Sequence, residues 1–359
     1  MTEFPWRPDP GSGGRIDWID IAKGWCIVLV VGMHSALGVG YLTGETGWLH
    51  AVVVFAKPFR MPDFFLVAGL FASSVIGSKK RDFIDRKLIH FAYFYVLWVS
   101  IVVLIKGLPL ISSAPGSLAV DYLWSLVQPY STMWFIYILP LLFLTVRILH
   151  RVSKIVVLTG ALALHIAAAR YPDGGIYSMS SDMTGSIAID SYALFVFYFL
   201  SGHYARKQIF QFADAVSRNA GTATAGVMCW ALANQLGIST GATEIPGLTV
   251  LFGLAGALAV ITVSVLLAKF DWMGWLAYCG RNSLVIYLAF VLPMGAMRTV
   301  LLKSGVISSV GWVSAVVAAA AIIVPLMLEK LVRNTSLQFL FVRPTWARLG
   351  AQRFTRPKP

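Results

Sequence analysis

Acidic side chains are scarce in this chain: 16 Asp and Glu stand against 29 Lys and Arg in 359 residues, and all charged residues together make up 13%. Soluble domains carry about twice that fraction. With 58% hydrophobic residues and a mean hydropathy of +0.74, a water-soluble fold would leave far more apolar surface than it could bury, which excludes the soluble classes. Cysteine is nearly absent. Cys26, Cys229 and Cys279 sit in apolar segments with neither metal nor disulfide spacing, so a disulfide scaffold and a thiolate metal site are excluded. No two of the six histidines stand three or four residues apart, so no single helix offers a two-histidine metal face, and no metal is expected. A cleavable signal peptide is missing as well, because the first apolar segment is long, polar on one side and lacks a cleavage site.

What the chain has instead is long apolar segments. About ten of them, 18–40, 50–76, 88–108, 133–149, 155–170, 187–205, 222–238, 246–268, 283–302 and 309–332, can cross or nearly cross a hydrocarbon core of about 30 Å, the fifth and seventh being short. The expected fold is an all-α polytopic membrane protein, its transmembrane helices in one bundle. The net charge of +13 needs no nucleic-acid partner once its placement is followed. With both termini cytoplasmic, Arg7, Arg15, Lys23, the cluster from Lys79 to Lys87, Arg147, Arg151, Lys154, Arg206, Lys207, Arg218, Lys269, Lys330 and Arg333 all fall inside. Little beyond Lys106, Arg170 and Lys303 falls outside, which is the positive-inside pattern. Residues 1–14, rich in Pro and Gly, read as a disordered cytoplasmic tail, residues 15–333 as the membrane domain, and residues 334–359 as a basic cytoplasmic tail. That last segment, with Arg343, Arg348, Arg353, Arg356, Lys358 and no acid, either lies on anionic lipid or reflects the positive-inside bias alone.

The chemistry concentrates in residues 15–35, RIDWIDIAKGWCIVLVVGMHS. Ionisable groups inside a span are expensive and are functional candidates by default. At about 100° per residue Lys23 and His34 differ by roughly 20°, and Asp20 lies within about 60° of both, so the three share one helix face. The track runs about 16 Å from Lys23 to His34. In the second apolar segment Lys57, Arg60 and Asp63 recur every third residue between and beside Pro58 and Pro62, and a helix entering from outside would bring them to the depth of His34. The plainer alternative makes Arg60 and Asp63 a structural ion pair, with Lys57 snorkelling outward. Proline also frees a carbonyl for a nearby cation. Trp134 opens the fourth segment at the interface. In the ninth, Ser283 and Tyr287 are stacked four residues apart, with Arg281 at the cytoplasmic mouth. His165 and His203 are lone histidines and read as hydrogen-bonded packing residues. Residues 122–127 are expected to form a short interfacial helix.

The combination resembles the integral-membrane acyltransferase-3 family, which includes O-antigen acetylases, fucose 4-O-acetylase-like proteins and periplasmic-glucan succinyltransferases. The matching pieces are RIDWIDIAKG followed by MHS, then RMPDFFLVAG at 60–69, MWFIYILP at 133–140 and GRNSLVIYL at 280–288. The resemblance implies a ten-span enzyme that takes an acyl group, most commonly acetyl, from cytoplasmic acyl-CoA to a sugar hydroxyl at the outer face of a bacterial inner membrane. It also implies that His34 takes the family's histidine role and Lys23 its arginine role. Three departures stand out. Lys23 keeps the charge of the usual arginine but not its planar fork. Arg60 and Asp63 occupy positions where relatives commonly carry a histidine or an apolar residue. The family's Tyr-Leu-x-His ending becomes Tyr287, Leu288, Ala289, Phe290.

On this reading His34 is the general base toward the acceptor hydroxyl, since an imidazole with a pKa of about 6.5 suits that task near neutrality. A covalent acyl-histidine is the variant route. Asp20 and Lys23, with Arg15, organise the acyl-CoA side, and Lys57 or Arg60 holds the developing oxyanion or an anionic substrate group. No bound cofactor is implied; acyl-CoA is a co-substrate, the acceptor is a sugar or glycan, and membrane lipids are the other partner. The bland reading of His34 is an interhelical hydrogen bond. The rival function is a proton-coupled transporter or lipid flippase, against which the sequence shows no duplicated halves.

Overall fold

The computed structural model describes residues 17–107, 115–170 and 184–349, so Arg15 lies outside the described residues. All the regular structure it describes is helical. In order come α1 (Asp17–Thr43), α2 (Trp48–Ala56), α3 (Arg60–Gly69), α4 (Lys80–Phe83), α5 (His90–Gly107), α6 (Pro115–Val127), α7 (Trp134–Leu149) and α8 (Lys154–Ala168). Then follow α9 (Ile187–Tyr204), α10 (Arg206–Arg218), α11 (Ala220–Ser239), α12 (Leu248–Leu267), α13 (Gly274–Arg281), α14 (Ser283–Ala289), α15 (Val291–Ser304) and α16 (Val310–Val332). A π-helical segment, Ile84–Ile89, joins α4 to α5.

Among the described residues four helices are long and apolar enough to cross a membrane: Asp17–Thr43, Lys80–Ile105, Leu248–Leu267 and Val310–Val332. The pair α14 and α15, bent by 57° at a short break, makes a fifth if it is counted as one span, and α7 and α8 are shorter apolar helices. Of the remaining apolar segments, 50–76 is interrupted, 133–149 and 155–170 fold as the shorter α7 and α8, and 187–205 and 222–238 fold as continuous helices of 18 and 20 residues that are less apolar than the four. The interfacial helix expected at 122–127 is the end of the longer α6.

Helix α1 stands at the centre, with α2, α3, α12, α13, α14 and α16 around it. It buries Trp18, Ile19, Asp20, Cys26, Gly32 and Val39, residues spread around the whole cylinder, as expected of a helix enclosed by others. Glycine permits the closest crossing. A Cβ on Gly24 would run into the Leu276 carbonyl of α13, and one on Gly280 into the Asp20 carbonyl of α1. Such small-residue contacts let backbones pack where the surrounding lipid supplies no hydrophobic drive. Ser35 Oγ donates to the Ser314 carbonyl at 2.6 Å, tying α1 to α16.

The second apolar segment is two helices, and this corrects the expectation of one continuous face. Pro58 has no N–H to give, and the chain turns between α2 and α3 with Lys57 N bonded to the Val54 carbonyl (3.1 Å) and Phe59 N to the Ala56 carbonyl (3.2 Å). The carbonyls this turn releases find side chains. Asn234 Nδ2 donates to the Phe55 carbonyl at 2.9 Å, and Arg60 Nη1 reaches the Val53 carbonyl at 3.5 Å. Irregular backbone at membrane depth survives only where protein satisfies it in this way.

The segment after α16 makes protein contacts as far as it is described. Residues 336–349 pack against α5 as a strap: Trp98 Nε1 donates to the Leu340 carbonyl (2.9 Å) and Tyr93 Oη to the Phe339 carbonyl (3.0 Å). Arg343 donates to the Asp85 carbonyl (2.7 Å) and to Asp85 Oδ2 (2.6 Å). The π-helical turn carries Asp85, whose carboxylate also accepts from Leu349 N at 2.8 Å. A guanidinium that finds this partner is drawn onto the protein instead of the bilayer surface.

Candidate functional site

His34 lies half-buried on α1, its ring 5.4 Å from that of Phe290, the residue at the bend between α14 and α15. Its imidazole makes no hydrogen bond with any described residue, so the interhelical bond of the bland reading is not formed. Beside it is a cavity of about 20 Å³ lined by Val30, Met33, His34, Met61, Phe64, Thr132, Trp134, Phe135 and Tyr287. That space holds about one water molecule. Its walls are apolar apart from Thr132, Tyr287 and His34 itself.

Tyr287 and Trp134 are brought here as expected. Tyr287 Oη donates to the Thr132 carbonyl at 2.6 Å and accepts from Ile136 N at 3.4 Å, so it fixes the start of α7 against α14. Trp134 joins an aromatic wall, 6.0 Å from Phe65 and 5.6 Å from Phe195. Arg60, only 1% exposed, lies within electrostatic reach of His34. Asp63, also 1% exposed, accepts a hydrogen bond from Cys26 Sγ at 2.9 Å. The sequence reading had assigned Cys26 no role. In the structure its bond to Asp63 adds a polar pair one turn beyond Lys23, about 12 Å short of His34 along the helix.

At the N-terminal end of α1 Lys23 Nζ stands 3.8 Å from Asp20 Oδ1 and 4.8 Å from the centre of the Phe71 ring. The Lys23 side chain is 33% exposed. Three expected site residues are elsewhere. Lys57 is turned away by the break at Pro58 and bridges Glu244 at 2.7 Å on the surface. Arg281 is exposed, its guanidinium 5.9 Å from the Tyr278 ring. Ser283 is half-buried one turn before Tyr287 and does not line the cavity. Both lone histidines are away from it too. His165 packs as expected, bonded to the Leu194 carbonyl (2.6 Å) and Thr249 Oγ1 (3.1 Å), whereas His203 Nδ1 is buried without a hydrogen-bond partner.

Among the described residues no three His, Cys, Asp or Glu side chains gather where a metal ion could sit. The chemistry on offer is that of an imidazole beside a small, largely aromatic cavity, with the buried Arg60 guanidinium within electrostatic reach. A model of an acyltransferase domain matches residues 16–328. No curated protein and no solved structure matches the chain.

Proposed function

Because the chain belongs to the acyltransferase-3 family of membrane acyltransferases, we propose that it transfers an acyl group, acetyl in the first instance, from cytoplasmic acyl-CoA to a hydroxyl of a sugar or glycan across a bacterial inner membrane. On this proposal the chain crosses ten times, with both termini cytoplasmic and shorter, less apolar or interrupted helices making up the spans beyond the long ones. The observation that carries the reading is His34: an imidazole with no hydrogen bond to the described protein, opening on a cavity lined by Met61, Phe64, Trp134 and Tyr287.

His34 takes the proton of the acceptor hydroxyl as that oxygen attacks the thioester carbonyl. The C–S bond then breaks, and the imidazolium returns the proton to the CoA sulfur. Arg60 stabilises the negative charge on the carbonyl oxygen during attack, in surroundings where little water competes. Lys23 and Asp20, with Arg15, receive the donor at the other end of the track. Tyr287 positions the start of α7, and Trp134 forms the wall against which the acyl group rests. Arg281 and Ser283 serve the donor side only if the α13–α14 turn moves.

The test is release of free CoA by detergent-purified protein supplied with acyl-CoA and candidate glycans, wild type beside His34→Ala. Turnover that collapses in a folded mutant supports the reading, and equal turnover in both removes His34 as the base. The two helix breaks, at Pro58 and at Phe290, flank His34, and discontinuous helices around an ionisable group also suit ion-coupled transport. Wild-type protein that releases no CoA with any donor yet moves substrate in proteoliposomes would favour that second reading.

A further inference from the structure

One cation near this site is unaccounted for by anything above. Arg298 lies on α15, the helix that follows the 57° bend. Its Nη1 sits against Gly38 of α1, where even a methyl group would collide with it. Gly38 is one helical turn beyond His34 on the same face of α1, about 6 Å along the axis. Phe290, whose ring touches His34, is eight residues before Arg298. Two independent helices thus place this guanidinium one turn from the proposed base, on the side away from Lys23.

The guanidinium is half-buried, and its Nε is buried without a hydrogen-bond partner. Among the described residues it forms no ion pair. Described acids at that end are engaged or exposed elsewhere: Glu244 is held by Lys57 at 2.7 Å, Asp190 accepts from Thr184 Oγ1 at 2.8 Å, and Glu45 is exposed in the turn after α1. An arginine placed in a membrane domain without a counter-ion is costly, and its planar fork matches carboxylate and phosphate oxygens.

The geometry points to Arg298 as the residue that recognises an anionic group on the acceptor, a carboxylate or a phosphate carried about one sugar width from the hydroxyl that is acylated. The inference rests on the acyltransferase reading and adds the class of its acceptor. The hydroxyl meets His34, the anion meets Arg298, and Gly38 leaves the space in which the guanidinium can approach.

The experiment compares three acceptors of equal size with purified protein: a neutral oligosaccharide, one bearing a uronic acid, and one bearing a phosphate. Wild type is expected to show a lower KM for one or both anionic acceptors than for the neutral one. Arg298→Gln should raise that KM by about ten- to a hundredfold, the worth of a charge-assisted hydrogen bond, with a smaller effect on kcat, and Arg298→Lys should restore part of it. The uronate and phosphate arms identify which anion is read. Direct binding of the same oligosaccharides, measured by calorimetry, separates the two proposals. If no CoA is released but anionic sugars still bind wild type more tightly than Arg298→Gln, the enzymatic reading fails and the anion site stands. Equal affinity for neutral and anionic acceptors, or an Arg298→Gln variant that is folded and unchanged in KM and binding, would overturn the inference.

Discussion

The Cys26–Asp63 contact gives the most direct physical test of the structure. Asp63 is buried on α3, and its hydrogen bond comes from the thiol of α1, 37 residues away in sequence, at 2.9 Å; its Oδ1 has no partner. Changing Cys26 to Ala removes a small buried group and strands the carboxyl of Asp63. A stranded buried acceptor costs about 1–3 kcal/mol, and more if it is charged. Asp63→Leu removes the acceptor and leaves only a weak thiol donor unsatisfied, so it costs less per lost bond. The double variant Cys26→Ala, Asp63→Leu replaces both partners with apolar groups, an exchange that is close to neutral for a hydrogen-bonded pair. The expected coupling is therefore at least about 1 kcal/mol, with the double variant more stable than the two single losses predict. Unfolding in mixed micelles by titration with SDS, followed through the emission of the 12 tryptophans, measures all four corners of the cycle. Additive losses within about 0.5 kcal/mol would show that the two groups do not interact, and the polar pair beyond Lys23 would have to be abandoned.

Further predictions concern packing, the helix break and the strap. Gly280→Ala places a methyl group on the Asp20 carbonyl and should destabilise the protein by about 1–3 kcal/mol, whereas Gly160→Ala, in open space, should change its unfolding midpoint little. Asn234→Leu withdraws the donor from the buried Phe55 carbonyl and should cost about 1–3 kcal/mol by the same SDS titration; a stable variant would mean that water or lipid replaces the amide. Arg343→Ala leaves Asp85 without its ion pair and should make residues 336–349 sensitive to protease in intact protein, with little change in the rest of the bundle. Protection equal to that of wild type would show that Tyr93 and Trp98 hold the strap by themselves.

The face of α1 was legible because a single helix carries it. Asp20, Lys23 and His34 are near neighbours in sequence, and the 3.6-residue period alone places them together. The second segment was misread for a related reason. Lys57, Arg60 and Asp63 have the spacing of one helix, but a proline in a span can bend it or end it, and the choice depends on whether another residue waits to satisfy the released carbonyls. That residue is Asn234, 179 positions from Phe55, and nothing local announces it. Cys26 was passed over because a lone thiol in an apolar run is ordinarily a small hydrophobe. Arg298 has no charged neighbour at helical spacing, and its meaning comes entirely from Gly38 on another helix. The contacts of the strap could not be read in advance, because a basic terminal segment has the same composition whether or not it meets Asp85.

The order in which the ribosome delivers these pieces has a consequence for biogenesis. Helix α1 is made first, yet most of the helices that enclose it, α12, α13, α14 and α16, are made last. Asp85, Tyr93 and Trp98 meet their partners only when residues 339–349 have left the exit tunnel. Until then α1 is covered only on the side of α2, α3 and α7, and a nascent chain stalled anywhere before α12 holds the track and the walls from Met61, Phe64, Trp134 and Phe135 but lacks Tyr287 and the helices α12–α16 that close the other side. Assembly is therefore a late, long-range closure, during which the unfinished bundle depends on whatever insertase or chaperone shields a polar helix in the bilayer.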